Sequence, residues 1–153
     1  MKRFCFVLVA FTLVVASCSK GGGSTPVTPT PPPPVVVAES DITFKVEVDN
    51  KEVDYTTYTA ALSASQPVNV NVTTSPFPKD GVTIDVTVKK DIDNATVFSD
   101  TKVGTVAGTN PVTINNLLSG VPCTATVLVT SKTLDPVSKT YKSFSKTFKI
   151  AKK

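Results

Sequence analysis

Val82-Thr83-Ile84-Asp85-Val86-Thr87-Val88 decides the class of fold. Apolar residues take every second position, the period of a strand that buries one face; a helix would group them at spacings of three and four. The same period recurs on both sides of this stretch. Ile42, Phe44, Val46 and Val48 alternate with Thr43, Lys45, Glu47 and Asp49, and Val68, Val70 and Val72 alternate with Asn69, Asn71 and Thr73. Later come Val112 with Ile114, then Ala125, Val127 and Val129, and finally Phe144, Phe148 and Ile150. Shorter candidates lie around Val97-Phe98 and between Val103 and Val106, and Asp49-Asn50 suits a tight turn into Val53-Asp54-Tyr55. Seven to nine short strands separated by turn-forming clusters predict an all-β domain over residues 40–153, an antiparallel β-sandwich, with a small closed barrel as the competing arrangement.

Residues 1–39 follow other rules. Met1-Lys2-Arg3 is a short positive segment, Phe4 to Val15 is an apolar run, and Ala16 and Ser17 are small, which is the order of a secretory signal. The run is about a dozen residues, whereas a helix crossing a bilayer needs roughly 20, so removal of residues 1–17 is the expectation. Residues 18–39 then change composition sharply, with Gly21-Gly22-Gly23-Ser24 followed by Pro26, Pro29 and Pro31 to Pro34. Glycine gives flexible coil and the proline run gives extended polyproline II at about 3.1 Å per residue, so the segment reads as a tether some tens of Å long.

Val15-Ala16-Ser17-Cys18 resembles the lipobox of bacterial lipoproteins: an aliphatic residue, two small residues and a cysteine, here with Val15 where leucine is preferred. The resemblance implies cleavage before Cys18, lipidation of its thiol with acyl chains such as palmitate, and attachment to a membrane through them. Ser19 stands where an aspartate would retain such a protein in the inner membrane, which implies the outer membrane, on the periplasmic face or the cell surface. Lys20 is followed by Gly21 and Gly22 rather than by the acids expected of a surface-export signal.

Ile114 to Val127 is similar to the corner between the fifth and sixth strands of fibronectin type III and related immunoglobulin-like domains. In those domains a leucine plugs the core, a glycine turns the chain three residues on, and a tyrosine follows after three more. Leu117 and Gly120 keep that spacing and Cys123 takes the tyrosine position. The tyrosine's hydroxyl is therefore missing, as is the family's core tryptophan. The resemblance implies an immunoglobulin-like order of strands.

Composition narrows the chemistry. The 153 residues contain no histidine and no tryptophan, and Arg3 is the only arginine. Loss of Lys2 and Arg3 takes the net charge from +4 to +2, which argues against a nucleic-acid partner. Cys123 is the one cysteine in the body of the domain, so no internal disulfide is expected. With no histidine to activate it, Cys123 reads as a small buried side chain rather than a nucleophile. Asp91-Ile92-Asp93-Asn94 begins like a calcium loop, but Ala95 and Thr96 break the pattern; a hairpin turn is the better account, and no metal or cofactor is expected.

Charge is unevenly placed. From Lys132 to Lys153 there are seven lysines against Asp135 alone. Lys139, Lys142, Lys146 and Lys149 form either a basic face for anionic headgroups or acidic glycans, or the lysine defence of an edge strand, in which Lys146 shares the parity of Phe144 and Phe148. Two loops are candidate partner-binding surfaces: Ser75-Pro76-Phe77-Pro78-Lys79-Asp80-Gly81 and Leu134-Asp135-Pro136. In an immunoglobulin-like order they share one end of the domain, with Phe77, Lys79, Leu134 and Pro136 at the surface; the alternative for Phe77 is folding back over the core. The expected function is a lipid-anchored, non-catalytic binding or assembly module on a flexible stalk, with an envelope protein or glycan as partner. A surface-adhesion module and a hydrolase with two carboxylates in a cleft are the alternatives.

Overall fold

The computed structural model describes residues 33–153. The lipobox-like stretch and most of the proline-rich segment lie outside them. All regular structure in the described part is strand: β1 (Phe44–Val48), β2 (Lys51–Glu52), β3 (Tyr58–Ala61), β4 (Gln66–Val72), β5 (Val82–Lys90), β6 (Thr96–Gly104), β7 (Gly108–Ile114), β8 (Pro122–Leu134) and β9 (Tyr141–Lys152). Among the described residues no helix is long and apolar enough to cross a membrane.

The strands form two sheets, ordered β2-β1-β4-β7 and β3-β9-β8-β5-β6. Alternation explains why they stack. Val82, Ile84, Val86 and Val88 are buried while the residues between them are only partly so, and Val68, Val70 and Val72 do the same in the other sheet. The two apolar faces share one core that includes Phe44, Val46, Val70, Ile84, Val127, Phe148 and Ile150. Valine and isoleucine suit this role, because β-branching restricts the side chain to rotamers that pack on a pleated surface.

Sequence expectation and structure differ in three places. The second sheet is mixed rather than wholly antiparallel, because β3 runs parallel to β9 and pairs Tyr58 with Lys149 and Ala61 with Lys152. The two short candidates around Val97 and Val103 belong to one strand, β6, paired with β5 from Val82–Gly104 to Lys89–Thr96 across a bulge at Val88/Lys89. After the Asp49-Asn50 turn, whose residues have φ of 51° and 61° as a tight hairpin requires, the short strand is Lys51–Glu52, and Val53 goes into the core.

The chain comes in at one end of the domain and finishes at the other. Ser40 Oγ donates to the Ser75 carbonyl at 3.1 Å, and Lys142 Nζ lies 2.8 Å from Asp41 and 3.7 Å from Asp135. The loops 73–81 and 135–140 therefore flank the incoming segment. At the opposite end Lys153 N–H donates to the Ala61 carbonyl at 3.2 Å, and Gly120 N–H to Lys152 at 3.2 Å.

Candidate functional site

The first candidate loop meets the end of β8, directly ahead of the second. Asp80 N–H donates to Thr133 Oγ1 at 3.0 Å, that hydroxyl donates to Asp80 Oδ2 at 3.1 Å, and Lys132 N–H donates to the Gly81 carbonyl at 2.9 Å. Asp135 is the buried hub of the second loop: its carboxylate accepts from Val137 N–H at 2.9 Å and Ser138 Oγ at 2.9 Å. Those donors, the Val137 amide foremost, hold its carboxyl below the usual carboxylate range. Phe77 is not displayed. It is half-buried and packs back against the core, leaving Lys79 and Leu134 exposed and Pro136 half-buried.

The four candidate lysines do not share a face, because a two-residue period separates them. Lys149 lies on the outer side of the second sheet, where its Nζ donates to Asp91 Oδ2 at 3.0 Å and Thr124 Oγ1 at 2.8 Å. Lys142 and Lys146 have the other parity, that of Phe148, and lie along the seam between the sheets; Lys139 sits exposed in the turn with a φ of 57°. Lys142 pairs with Asp41 at 2.8 Å, and Lys146 reaches Tyr55 Oη at 3.3 Å and Glu52 at 3.9 Å. Three of the four ammonium groups thus have carboxylates of the same chain beside them.

Asp91, the first residue of the calcium-loop-like stretch, is taken up by this packing. It accepts from Thr124 Oγ1 at 2.6 Å and Tyr58 Oη at 2.7 Å as well as from Lys149, and these bonds, Thr124's first, lower its pKa to about 2. Among the described residues no three histidines, cysteines, aspartates or glutamates converge as a metal site would need. A depressed carboxyl stabilises the fold above its ordinary pKa of 3.8 and loses that contribution as pH falls toward 2. Lys149, whose pKa is raised by the same pair, contributes below its ordinary value of 10.5 and stops contributing as pH climbs past the raised one. An Asp91→Asn protein should therefore melt below wild type at pH 7, with the gap narrowing steadily by pH 2 in thermal unfolding followed by circular dichroism. A gap that does not change with pH would count against this network.

Cys123 is buried and free, its thiol pushed up chiefly by desolvation, with Sγ 3.6 Å from the Val121 carbonyl. It is packed among apolar side chains as a small core residue. Leu117 is buried, and Gly120 turns the chain with a φ of 70°.

The seam itself was not visible in the sequence. β9 pairs with β8 along one side, but on the other side β3 covers only Lys149 to Lys152. β1 likewise pairs with β4 on one side, and on the other β2 covers Glu47 and Val48 while Val53 N–H donates to the Val46 carbonyl at 2.9 Å. Facing stretches of both strands are therefore left without a neighbour, across a groove of about 530 Å³ lined by Asp41, Ile42, Phe44, Lys142, Phe144 and Lys146. Its floor is apolar: Phe44 is buried, and Phe144, 48% exposed, meets it edge to face at 6.0 Å. The Lys146 ammonium lies 5.5 Å from the Phe44 ring and 4.8 Å from that of Tyr55. One end of the groove is closed by the Lys142–Asp41 pair and the other by Tyr55, whose hydroxyl accepts from Val46 N–H at 3.3 Å and donates to Glu52.

Comparison with protein-family models finds no match, and neither does comparison with curated proteins or with solved structures.

Proposed function

We propose that the protein is a lipid-anchored lipoprotein of the bacterial outer membrane, carrying one immunoglobulin-like, non-catalytic binding or assembly domain on a flexible stalk. The anchor rests on Cys18 and its lipobox-like surroundings, and the stalk on residues 18–39. The immunoglobulin-like reading is supported by the sheet order, in which β1, β4 and β7 oppose β9, β8, β5 and β6, and by the Leu117–Gly120 corner. Cys123 at the tyrosine position is the departure.

The observation that carries the binding role is the groove between β1 and β9. Unpaired strand edges are costly in water and are normally covered, twisted away or guarded by charge. Here the guarding lysines Lys142 and Lys146 lie folded onto acids of the same chain, and an aromatic-lined slot stays open between them. Such an edge offers backbone hydrogen bonds and alternate side-chain pockets to an added strand. The candidate loops flank residues 40 and 41, where the stalk joins the domain, which favours the side of the domain as the contact surface.

A photo-crosslinking residue at Phe144, in the full-length protein in its own envelope, should give a discrete adduct that the same residue at Val106, exposed on the β6–β7 connection, does not. Equal adducts from both positions, or none from either, would overturn the groove as a binding site.

A further inference from the structure

The same chain carries an apolar segment suited to this groove. Val35, Val36 and Val37 are 87, 61 and 73% exposed, three consecutive β-formers with nothing over them, and Val37 lies only four residues ahead of Asp41 on the groove's rim. We propose that Val35 to Ala38 of one copy adds as a strand to the free edge of β9 in a second copy. The assignment names the occupant of the binding groove and so rests on that reading.

Size and charge both fit. Four extended residues span about 13 Å at roughly 3.3 Å each, about half of the free β9 edge of eight residues from Tyr141 to Phe148. The run is uncharged, and the slot it would enter presents Ile42, Phe44 and Phe144 between ion pairs that are already neutral. Val36 and Ala38 then face the aromatic floor.

Other occupants within the protein fit less well. The chain's own run is held away from its own groove by the Ser40–Ser75 and Asp41–Lys142 contacts, both of which fold-back would have to break. Two β9 edges paired with each other would crowd the Lys142–Asp41 and Lys146–Glu52 pairs of both copies into one seam. A run donated by a second copy breaks none of these contacts. Anchoring in one membrane would favour the exchange further, since confinement raises the effective concentration of run and groove.

The test uses two differently tagged full-length copies in one cell, one Val36→Cys and the other Phe144→Cys, oxidised in the envelope. Val106→Cys replaces Val36→Cys in the control, and Cys18 and buried Cys123 are common to both arms. The expected result is mixed disulfide dimer at least about tenfold above control, abolished when the donor copy also carries Ala38→Asp, because residues 36 and 38 share one face of the added strand and a carboxylate there would be buried on the apolar floor. All these positions are exposed, so the variants keep their fold. Yield equal to the control overturns the exchange, and so does preferential crosslinking within a single doubly substituted chain. If the Phe144 photo-adduct is a different protein while the 36–144 disulfide stays at background, the groove remains a binding site and the second copy is ruled out as its occupant. If the photo-adduct is absent as well, both readings fall.

Discussion

Recovery in the outer-membrane fraction should fall at least about tenfold when Cys18 becomes alanine, while the domain stays folded. The proposed anchor consists only of acyl chains on that residue. Each buried methylene contributes about 0.8 kcal/mol, a single chain holds marginally, and two or more hold firmly. Alanine offers no thiol to acylate, so every chain is lost together. On this proposal the variant keeps its leader or is cut elsewhere, and neither product is acylated. Among the described residues no helix is long and apolar enough to cross a membrane. Density-gradient fractionation of wild type and variant measures this. An unchanged outer-membrane yield from Cys18→Ala would mean that protein contacts hold the molecule there.

Gly81→Ala is the most damaging small substitution expected in the domain. Gly81 has a φ of 84°, in the left-handed region, and a Cβ there would meet the Gly104 carbonyl oxygen at 2.5 Å. That oxygen belongs to backbone at the end of β6, paired with Val82, and cannot swing aside as a side-chain tip would. The left-handed conformation alone costs a non-glycine residue about 1–2 kcal/mol, and relieving the clash means parting the start of β5 from β6. A total of roughly 2–4 kcal/mol is expected, a large share of the stability of a domain this size. Gly120→Ala is the matched control: its φ is 70°, but a Cβ would have nothing within 4 Å, so only the conformational cost applies. Chemical denaturation of both should rank Gly81→Ala clearly below Gly120→Ala. Equal losses would show that the contact with Gly104 relaxes freely.

The division between what sequence reveals and what it hides follows the range of each signal. Val82 to Val88 and Val68 to Val72 were legible because alternation is local and these strands lie inside their sheets. β3 was not, because Tyr58-Thr59-Ala60-Ala61 has no alternation and gains its strand geometry from parallel pairing with residues some ninety positions later. β6 looked like two fragments because its positions aligned with Val86 and Ile84 are Asp100 and Lys102, polar residues that a sheet edge tolerates. That the 75–81 loop lies against the end of β8 follows only once an immunoglobulin-like order is assumed. Which lysines would be neutralised was not legible, since Lys149 finds Asp91 from 58 positions away and Lys142 finds Asp41 from 101. The groove is a property of what fails to pair, and its only trace in the sequence was a lysine, Lys146, at an apolar position beside Phe144.

The proposal that the domain hangs from a membrane by acyl chains is tested most directly by intact mass spectrometry of the mature amino-terminal peptide. The expected peptide begins at Cys18 and carries the added mass of two or more acyl chains. A mature peptide beginning elsewhere, or beginning at Cys18 with a free thiol and no acyl mass, would contradict it.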